Sequence, residues 1–347
     1  MYLASDNTGP IHPQIMEALA EANQGYALPY GNDPYTARAI TAIRELFEAP
    51  QAEIFFVPTG TSGNALALST LCQPYESVLC TAAAHIHEDE CGAPEFYGVG
   101  KTYLVGEGDL MDPDALGALI TDLNEGGVHS AQPGAVSITS VTERGQLYEL
   151  DRIESLATIA HAAGLPLHLD GARFANACAA LEVSAAEMTW QSGVDVVTFG
   201  GTKAGCMGVE AVIFFNPDRA RGFAARRKRA GHLFSKNRFL AAQMLGFVRN
   251  DLWLQLGAAA NARGQYLAEA LCMDARIQWP YAPRANMLFP KLPRSVLQGL
   301  GAAGVAFNHW GNRDHGAPDE MLLTRFVCDW SVPYDELDKF LAVLKAS

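Results

Sequence analysis

The feature that most restricts how this chain can fold is a series of short apolar runs with no in/out alternation. They are Ile54–Val57, Ser77–Cys80, Thr102–Val105, Ala135–Ser140, Pro166–Leu169, Val194–Phe199 and Val209–Phe215. A strand with one wet face alternates apolar and polar residues, whereas a strand covered on both faces need not. Stretches with helical periodicity fall between many of the runs: Gly63–Cys72, Pro113–Asn124, Ile153–Ala163, Phe174–Leu181 and Ser184–Gln191. This alternation predicts an α/β fold with a mainly parallel, seven-stranded sheet. Beyond about Asn216 the character changes. Two long helical stretches, Lys236–Phe247 and Leu252–Leu271, precede strand candidates Met287–Phe289 and Leu322–Val327 and helices Ser295–Leu300 and Tyr334–Leu344. That pattern reads as a small C-terminal α+β domain. A chain of 347 residues has room for both. We divide it into residues 1–245, an N-terminal arm with the large domain, and 246–347, the small domain.

In an open parallel sheet, ligands bind beyond the carboxyl ends of the strands. Three strand-end segments here carry chemistry. The first is PTGTSGN, Pro58–Asn64, where a strand gives way to a Gly/Thr/Ser loop and then a helix. Small residues there let backbone N–H groups approach an anion, so Gly60, Thr61 and Ser62 suit a phosphate. The plainer reading is an ordinary N-capping loop. The second is LHLDGARFA, Leu167–Ala175. A carboxylate ending an apolar strand needs a partner, so Asp170 faces either a bound cation or Arg173 in a structural ion pair. The third is VTFGGTKAG, Val197–Gly205. A lysine desolvated in such a turn has a lowered pKa and favours the amine that forms Schiff bases, whereas an exposed Lys203 would do nothing of the kind. Phosphate loop, then Asp, then Lys, each following a strand, is the order in which fold type I enzymes meet pyridoxal 5′-phosphate (PLP).

The whole-chain numbers narrow the class. Lys and Arg total 25 against 38 Asp and Glu, a formal charge of -13, which argues against nucleic acid or an anionic membrane as partner. The one basic cluster, Arg226-Arg227-Lys228-Arg229, is either a solvated helix face or a local anion site. The start, MYLASDNTGP, is not a signal peptide, and no apolar run is long enough to cross a bilayer. Seven scattered cysteines without a C-x-x-C pair suggest reduced thiols, no cysteine-bound metal and a cytoplasmic location.

Taken together, the motifs resemble the L-threonine aldolases, within the β-eliminating lyase group of the aspartate-aminotransferase-like fold type I. The matching segments are SDNTG (Ser5–Gly9), YGNDP (Tyr30–Pro34), IFFVPTGTSGN, HIHEDECGA (His85–Ala93), HLDGARFANA, TFGGTKAG and LLTRFVCDW (Leu322–Trp330). The resemblance implies PLP-dependent retro-aldol cleavage of L-threonine, L-allo-threonine and related β-hydroxy-α-amino acids. The alternative is β-elimination on the same fold. It implies Lys203 as the Schiff-base lysine, Asp170 as partner of the pyridine nitrogen, and His85 stacked on the ring. It also implies Gly60, Thr61 and Ser62 at the phosphate, and Arg173 beside the cofactor. Ser5, Arg173 and Arg325 would hold the substrate carboxylate, two arginines suiting paired charged hydrogen bonds. His129 would stand near the substrate hydroxyl, and Tyr30 would reach a neighbouring subunit's site in a homo-oligomer, dimer or tetramer. The proton from the β-hydroxyl would go to His85, His129 or a water between them, helped by Asp89 or Glu90. Two segments depart from the family: SVTERGQLY at Ser140–Tyr148 and AGHLFSKNR at Ala230–Arg238, where either Lys236 or Arg238 would meet the phosphate.

Overall fold

The computed structural model describes residues 1–347. Seven strands form the large sheet: β1 (Glu53–Val57), β2 (Glu76–Cys80), β3 (Lys101–Leu104), β4 (Gln132–Thr139), β5 (Leu167–Gly171), β6 (Val196–Gly200) and β7 (Glu210–Phe214). Their order is β1-β7-β6-β5-β4-β2-β3. The pairs β3/β2, β2/β4, β4/β5 and β5/β6 are parallel, and β7 runs antiparallel to both of its neighbours. The mainly parallel sheet is therefore as expected. Every residue of β5, β6 and β7 is buried, which explains why those runs show no alternation.

One stretch read as helical is not a helix. Ser184–Gln191 is a chain of turns ending in a 3-10 turn, Trp190–Ser192. Ser184 pairs with the Glu187 side chain, and Thr189 adopts a non-helical backbone with ψ of -108°. Helices the pattern did not single out are Pro13–Ala22, Pro34–Leu46 and Phe223–Arg229. Pro34–Leu46 starts where Asp33 accepts from Thr36 N–H at 2.8 Å, with proline at the first position.

Beneath β6, the rings of Phe47, Phe174, Phe199 and Trp253 pack together, with Phe199 at 5.3, 5.5 and 5.8 Å from the other three. Burying each such ring contributes about 1.5–3 kcal/mol. This fixes the strand end that leads into Lys203. The helix Leu252–Cys272 lies across Phe174–Leu181, and the crossing is close. A Cβ on Gly257 would stand 2.5 Å from the Ala175 carbonyl carbon.

A second, antiparallel sheet holds β8 (Met287–Leu288), β9 (Lys291–Pro293), β10 (Asn308–His309) and β11 (Met321–Val327), with β11 pairing all three others. Its separate apolar cluster runs from Leu267 to Leu344 and takes in Leu3. The amino terminus is fastened here. Leu3 N–H donates to Ala306 O at 2.9 Å, and Val327 N–H donates to Leu3 O at 2.8 Å. The chain then crosses to the large sheet, where His12 N–H donates to Gly205 O at 2.9 Å. No helix is long and apolar enough to cross a membrane.

Candidate active site

Parallel pairing aligns the carboxyl ends of the central strands. Thr139 of β4 lies opposite Asp170 of β5, which lies opposite Thr198 of β6. The loops beyond these ends enclose a cavity of about 280 Å³. Only two of its 17 lining residues are hydrophobic, so it is shaped for a charged ligand. Gly60, Thr61, His85, Asp170, Arg173 and Lys203 all line it, as do Asn7, Asn64, Glu90, Glu143, Thr202 and Glu210.

Each wall follows from local structure. The helix Gly60–Leu71 begins at Thr59, whose hydroxyl accepts from Ser62 N–H at 3.2 Å. Gly60 and Thr61, the first two helical residues, have N–H groups with no acceptor further back along the helix. Lys203 sits in the 3-10 turn Thr202–Ala204, closed by Gly205 at φ +107°. Glu210, at the start of β7, accepts from Gly201 N–H at 2.9 Å and from the Thr202 hydroxyl at 2.6 Å.

Four groups join the cavity's floor to its side. The Asn64 amide donates to Asp170 Oδ2 at 2.9 Å and to Glu90 Oε1 at 3.0 Å, and His85 Nδ1 lies 3.1 Å from Glu90 Oε1. Ala172 N–H donates to Asp170 Oδ1 at 3.0 Å. Asp170 is thus buried with no bonded cation, and the ion pair with Arg173 does not form. Arg173 Nε and Nη2 instead donate to Asp6 at 2.7 and 2.9 Å. Burial by itself would raise the Asp6 carboxyl. The Arg173 charge and hydrogen bond, with Lys203 and Asn286, hold it below its usual value.

The Arg173 charge first, and burial second, push the Lys203 amine below its usual value. The hydrogen bond to Glu90 raises His85, while burial raises Glu90 itself. Burial lifts Glu143 to about 7; its Oε1 accepts from His85 N–H at 2.7 Å, and its Oε2 is buried with no partner. Burial lifts Glu210 to about 7 as well.

Other expected residues do not line this chain's own cavity. His129 is exposed in a 3-10 turn before β4. A strand that enters the sheet after a residue carries its carboxyl end away from that residue. The eight residues of β4, at about 3.3 Å each, put the length of the sheet between His129 and the cavity. Tyr30 is 45% exposed, with φ of 60° and Lys228 over its ring at 4.7 Å, and it does not line the cavity. Ser62 is buried inside its helix, its hydroxyl donating to Thr59 O. Ser5 caps Asn7 N–H at 3.2 Å, and Asn7 rather than Ser5 lines the cavity. Arg325 is half-buried and donates to Ala4 O at 3.1 Å, leaving Nε without a partner; the nearby Arg173 charge adds to burial in lowering it. Arg238 donates to Gly25 O, and neither it nor Lys236 reaches the cavity. Within the basic cluster, Arg227 is buried, donates to Phe56 O and covers the Phe55 ring. The buried partners Asp6, Asn64, Glu143 and Glu210 were not singled out from sequence. The one available signal for Asn64 was its place at the end of PTGTSGN.

The chain matches the beta-eliminating lyase family over residues 2–291. It is 40% identical to a low specificity L-threonine aldolase of Pseudomonas aeruginosa over 96% of this chain and 94% of that one. A second low specificity L-threonine aldolase, from a Pseudomonas species, is 38% identical over 99% and 96%. The structure of the Leishmania major threonine aldolase superposes with a TM-score of 0.89 at 28% identity, covering 99% and 98% of the two chains. The architecture is that of fold type I, as expected. By sequence and by fold, the chain belongs to the beta-eliminating lyase family.

Proposed function

We propose that this protein is a PLP-dependent lyase that cleaves L-threonine, L-allo-threonine and related β-hydroxy-α-amino acids to glycine and an aldehyde. One observation carries the reading. A single polar cavity holds a half-buried lysine with a lowered amine pKa and a buried aspartate with no bonded cation. These are the two groups that an aldehyde-bearing pyridinium requires, and the helix start at Gly60 and Thr61 offers N–H groups to its phosphate. The donor set therefore fits the cofactor.

When bound, the cofactor supplies a sink for the electron pair released as the Cα–Cβ bond breaks. The protein does the rest. Lys203 presents an amine, and Asp170 supplies the charge that pairs with a ring N–H. Arg173 and Arg325, with Ser5 beside them, hold the substrate carboxylate and so fix which bond at Cα stands across the ring. Because Asp6 already occupies Nε and Nη2 of Arg173, and Ala4 O takes Nη2 of Arg325, Nη1 of Arg173 with Nε and Nη1 of Arg325 are donors open to that carboxylate. His85 Nε2 is the ring nitrogen not engaged by Glu90, and it takes the proton of the β-hydroxyl.

His129 and Tyr30 can serve such a site only from another copy of the chain. A homo-oligomer, dimer or tetramer, is supported by exposed apolar side chains that share a groove beyond the lysine turn, Met207 at 58% and Phe234 at 46%. The division at residues 245 and 246 is supported by the second apolar cluster, although the helix Leu252–Cys272 contributes to both cores. A cytoplasmic location accords with the unpaired cysteines.

The test is product analysis. The PLP-loaded protein, given L-threonine or L-allo-threonine, yields glycine and acetaldehyde. Ammonia and 2-oxobutyrate with no glycine would overturn the aldolase reading.

A further inference from the structure

The mechanism so far leaves Glu210 unused. It is 4% exposed, lines the cavity, and sits at the first position of β7, opposite Gly200 of β6 and Val57 of β1. Its two oxygens grip the turn that presents Lys203, one at Gly201 N–H and the other at the Thr202 hydroxyl. Thr202 Oγ in turn accepts from Val209 N–H at 3.2 Å, so the clamp ties both sides of the loop between β6 and β7. A carboxyl group is a costly means of clamping this turn in a buried place, since an amide could do it without the charge, its oxygen accepting from Gly201 N–H and its NH2 donating to Thr202 Oγ. Its charge therefore needs an explanation beyond the clamp.

The neighbours of Lys203 supply one. Arg173 bears positive charge on it, and burial works in the same direction; Asp6, Asp170 and Glu210 oppose them. Asp6 is engaged by Arg173, and Asp170 by the Asn64 amide. Both stand to be engaged further by ligands. Glu210 alone is tied only to the lysine's own turn. Two further titratable groups lie close: His85, which shares the cavity, feels the Lys203 charge and is engaged by Glu90, and the Cys206 thiol, which is buried beside Glu210 and held in its neutral form.

We propose that Glu210 is a positioning residue for Lys203, clamping its turn and setting, through its buried negative charge, the pH at which the lysine nitrogen gives up its proton. This rests on Lys203 carrying the cofactor. Burial lifts Glu210 to about 7, so that charge is itself present or absent within the working range. A negative charge beside the nitrogen favours its protonated form. Removing the charge moves the midpoint to lower pH.

The test uses Glu210→Gln and Glu210→Ala in the full-length holoenzyme. Gln keeps the clamp, its oxygen accepting from Gly201 N–H and its amide donating to Thr202 Oγ, but carries no charge. The readout is the visible absorbance of the lysine-bound cofactor, titrated with pH. In Glu210→Gln the spectral midpoint should fall by about one to three pH units, with cofactor content preserved through gel filtration. Glu210→Ala should in addition shed cofactor. An unchanged midpoint in Glu210→Gln, with the visible band present, overturns the proposal and leaves Glu210 a structural clamp. A wild-type protein with no visible band overturns the cofactor reading beneath it.

Discussion

Glu143 allows a stability prediction worked from its surroundings. The carboxyl group is buried in the cavity wall. Its Oε1 accepts the N–H of His85, the first residue of a helical turn whose cap, Ala84, offers no side chain. Its Oε2 has no partner. The folded value is raised, from the usual 4.5 to about 7. Below pH 4.5 both folded and unfolded chains hold the proton, and the group costs nothing. As pH rises from 4.5 to 7 the unfolded chain ionises while the folded one keeps its proton, so stability falls across that window. The loss levels off above 7, at about 3 kcal/mol. Glu143→Gln keeps the acceptor for His85 and cannot ionise. At pH 8 the variant should therefore be more stable than the wild type by up to about 3 kcal/mol, and at pH 4 the titration contributes no difference. At ~2.1 cal/mol/K per residue of unfolding entropy, this chain length converts the gain to about 4 °C in melting temperature. Calorimetric melts of both proteins from pH 4 to 9 provide the measurement. A melting difference that is the same at pH 4 and pH 8 would refute the reasoning, since it would mean that Glu143 titrates alike in both states.

Three further outcomes follow from the site. Lys203→Ala should lose the visible cofactor band and nearly all turnover, and a variant retaining both would remove Lys203 from the chemistry. Arg325→Ala should weaken substrate and glycine binding by about 2–4 kcal/mol, roughly 30- to 700-fold, with cofactor still bound; normal glycine affinity by calorimetry would place Arg325 outside the substrate site. Asp6→Ala leaves the buried Arg173 without its counter-charge, which should cost about 3–5 kcal/mol. Saturating glycine, whose carboxylate can take that place, should restore part of the lost melting temperature, and a variant melting with the wild type would show that the pair is not felt.

What could be read before the structure was known divides along physical lines. That Lys203, Asp170, Arg173, His85, Gly60 and Thr61 meet in one cavity was legible because each lies at or just beyond the end of a buried strand, and parallel strands deliver their ends to one edge. Their partners were not. Asp6 meets Arg173 across 167 residues of sequence, and Asn64 meets Asp170 across 106. No local pattern marks such a pairing. Glu143 and Glu210 lie in ordinary turn and strand sequence, and only burial makes them unusual. His129 stands apart from this chain's own cavity for the converse reason. The residue type was right for the chemistry, but a residue that precedes a parallel strand lies at the opposite edge of the sheet from one that follows it. Ser184–Gln191 carries helix-like periodicity, yet its side chains bond locally in turns.

The arm from Leu3 to His12 bears on the order in which the protein comes together. Its contacts join segments far apart in the sequence: Arg325 reaches Ala4 across 321 positions, and Asn286 reaches Asp6 across 280. During synthesis the large sheet can close while the small sheet is still in the ribosome, because β1 through β7 end at Phe214. Until β11 emerges, the arm has no anchor at one end. The nascent enzyme therefore passes through a period in which the lysine turn and the aspartate are in place but Arg173 has no settled counter-charge. Contacts of such long sequence separation form slowly. Readiness to hold a substrate carboxylate thus comes later than the lysine turn and the aspartate that accompany it.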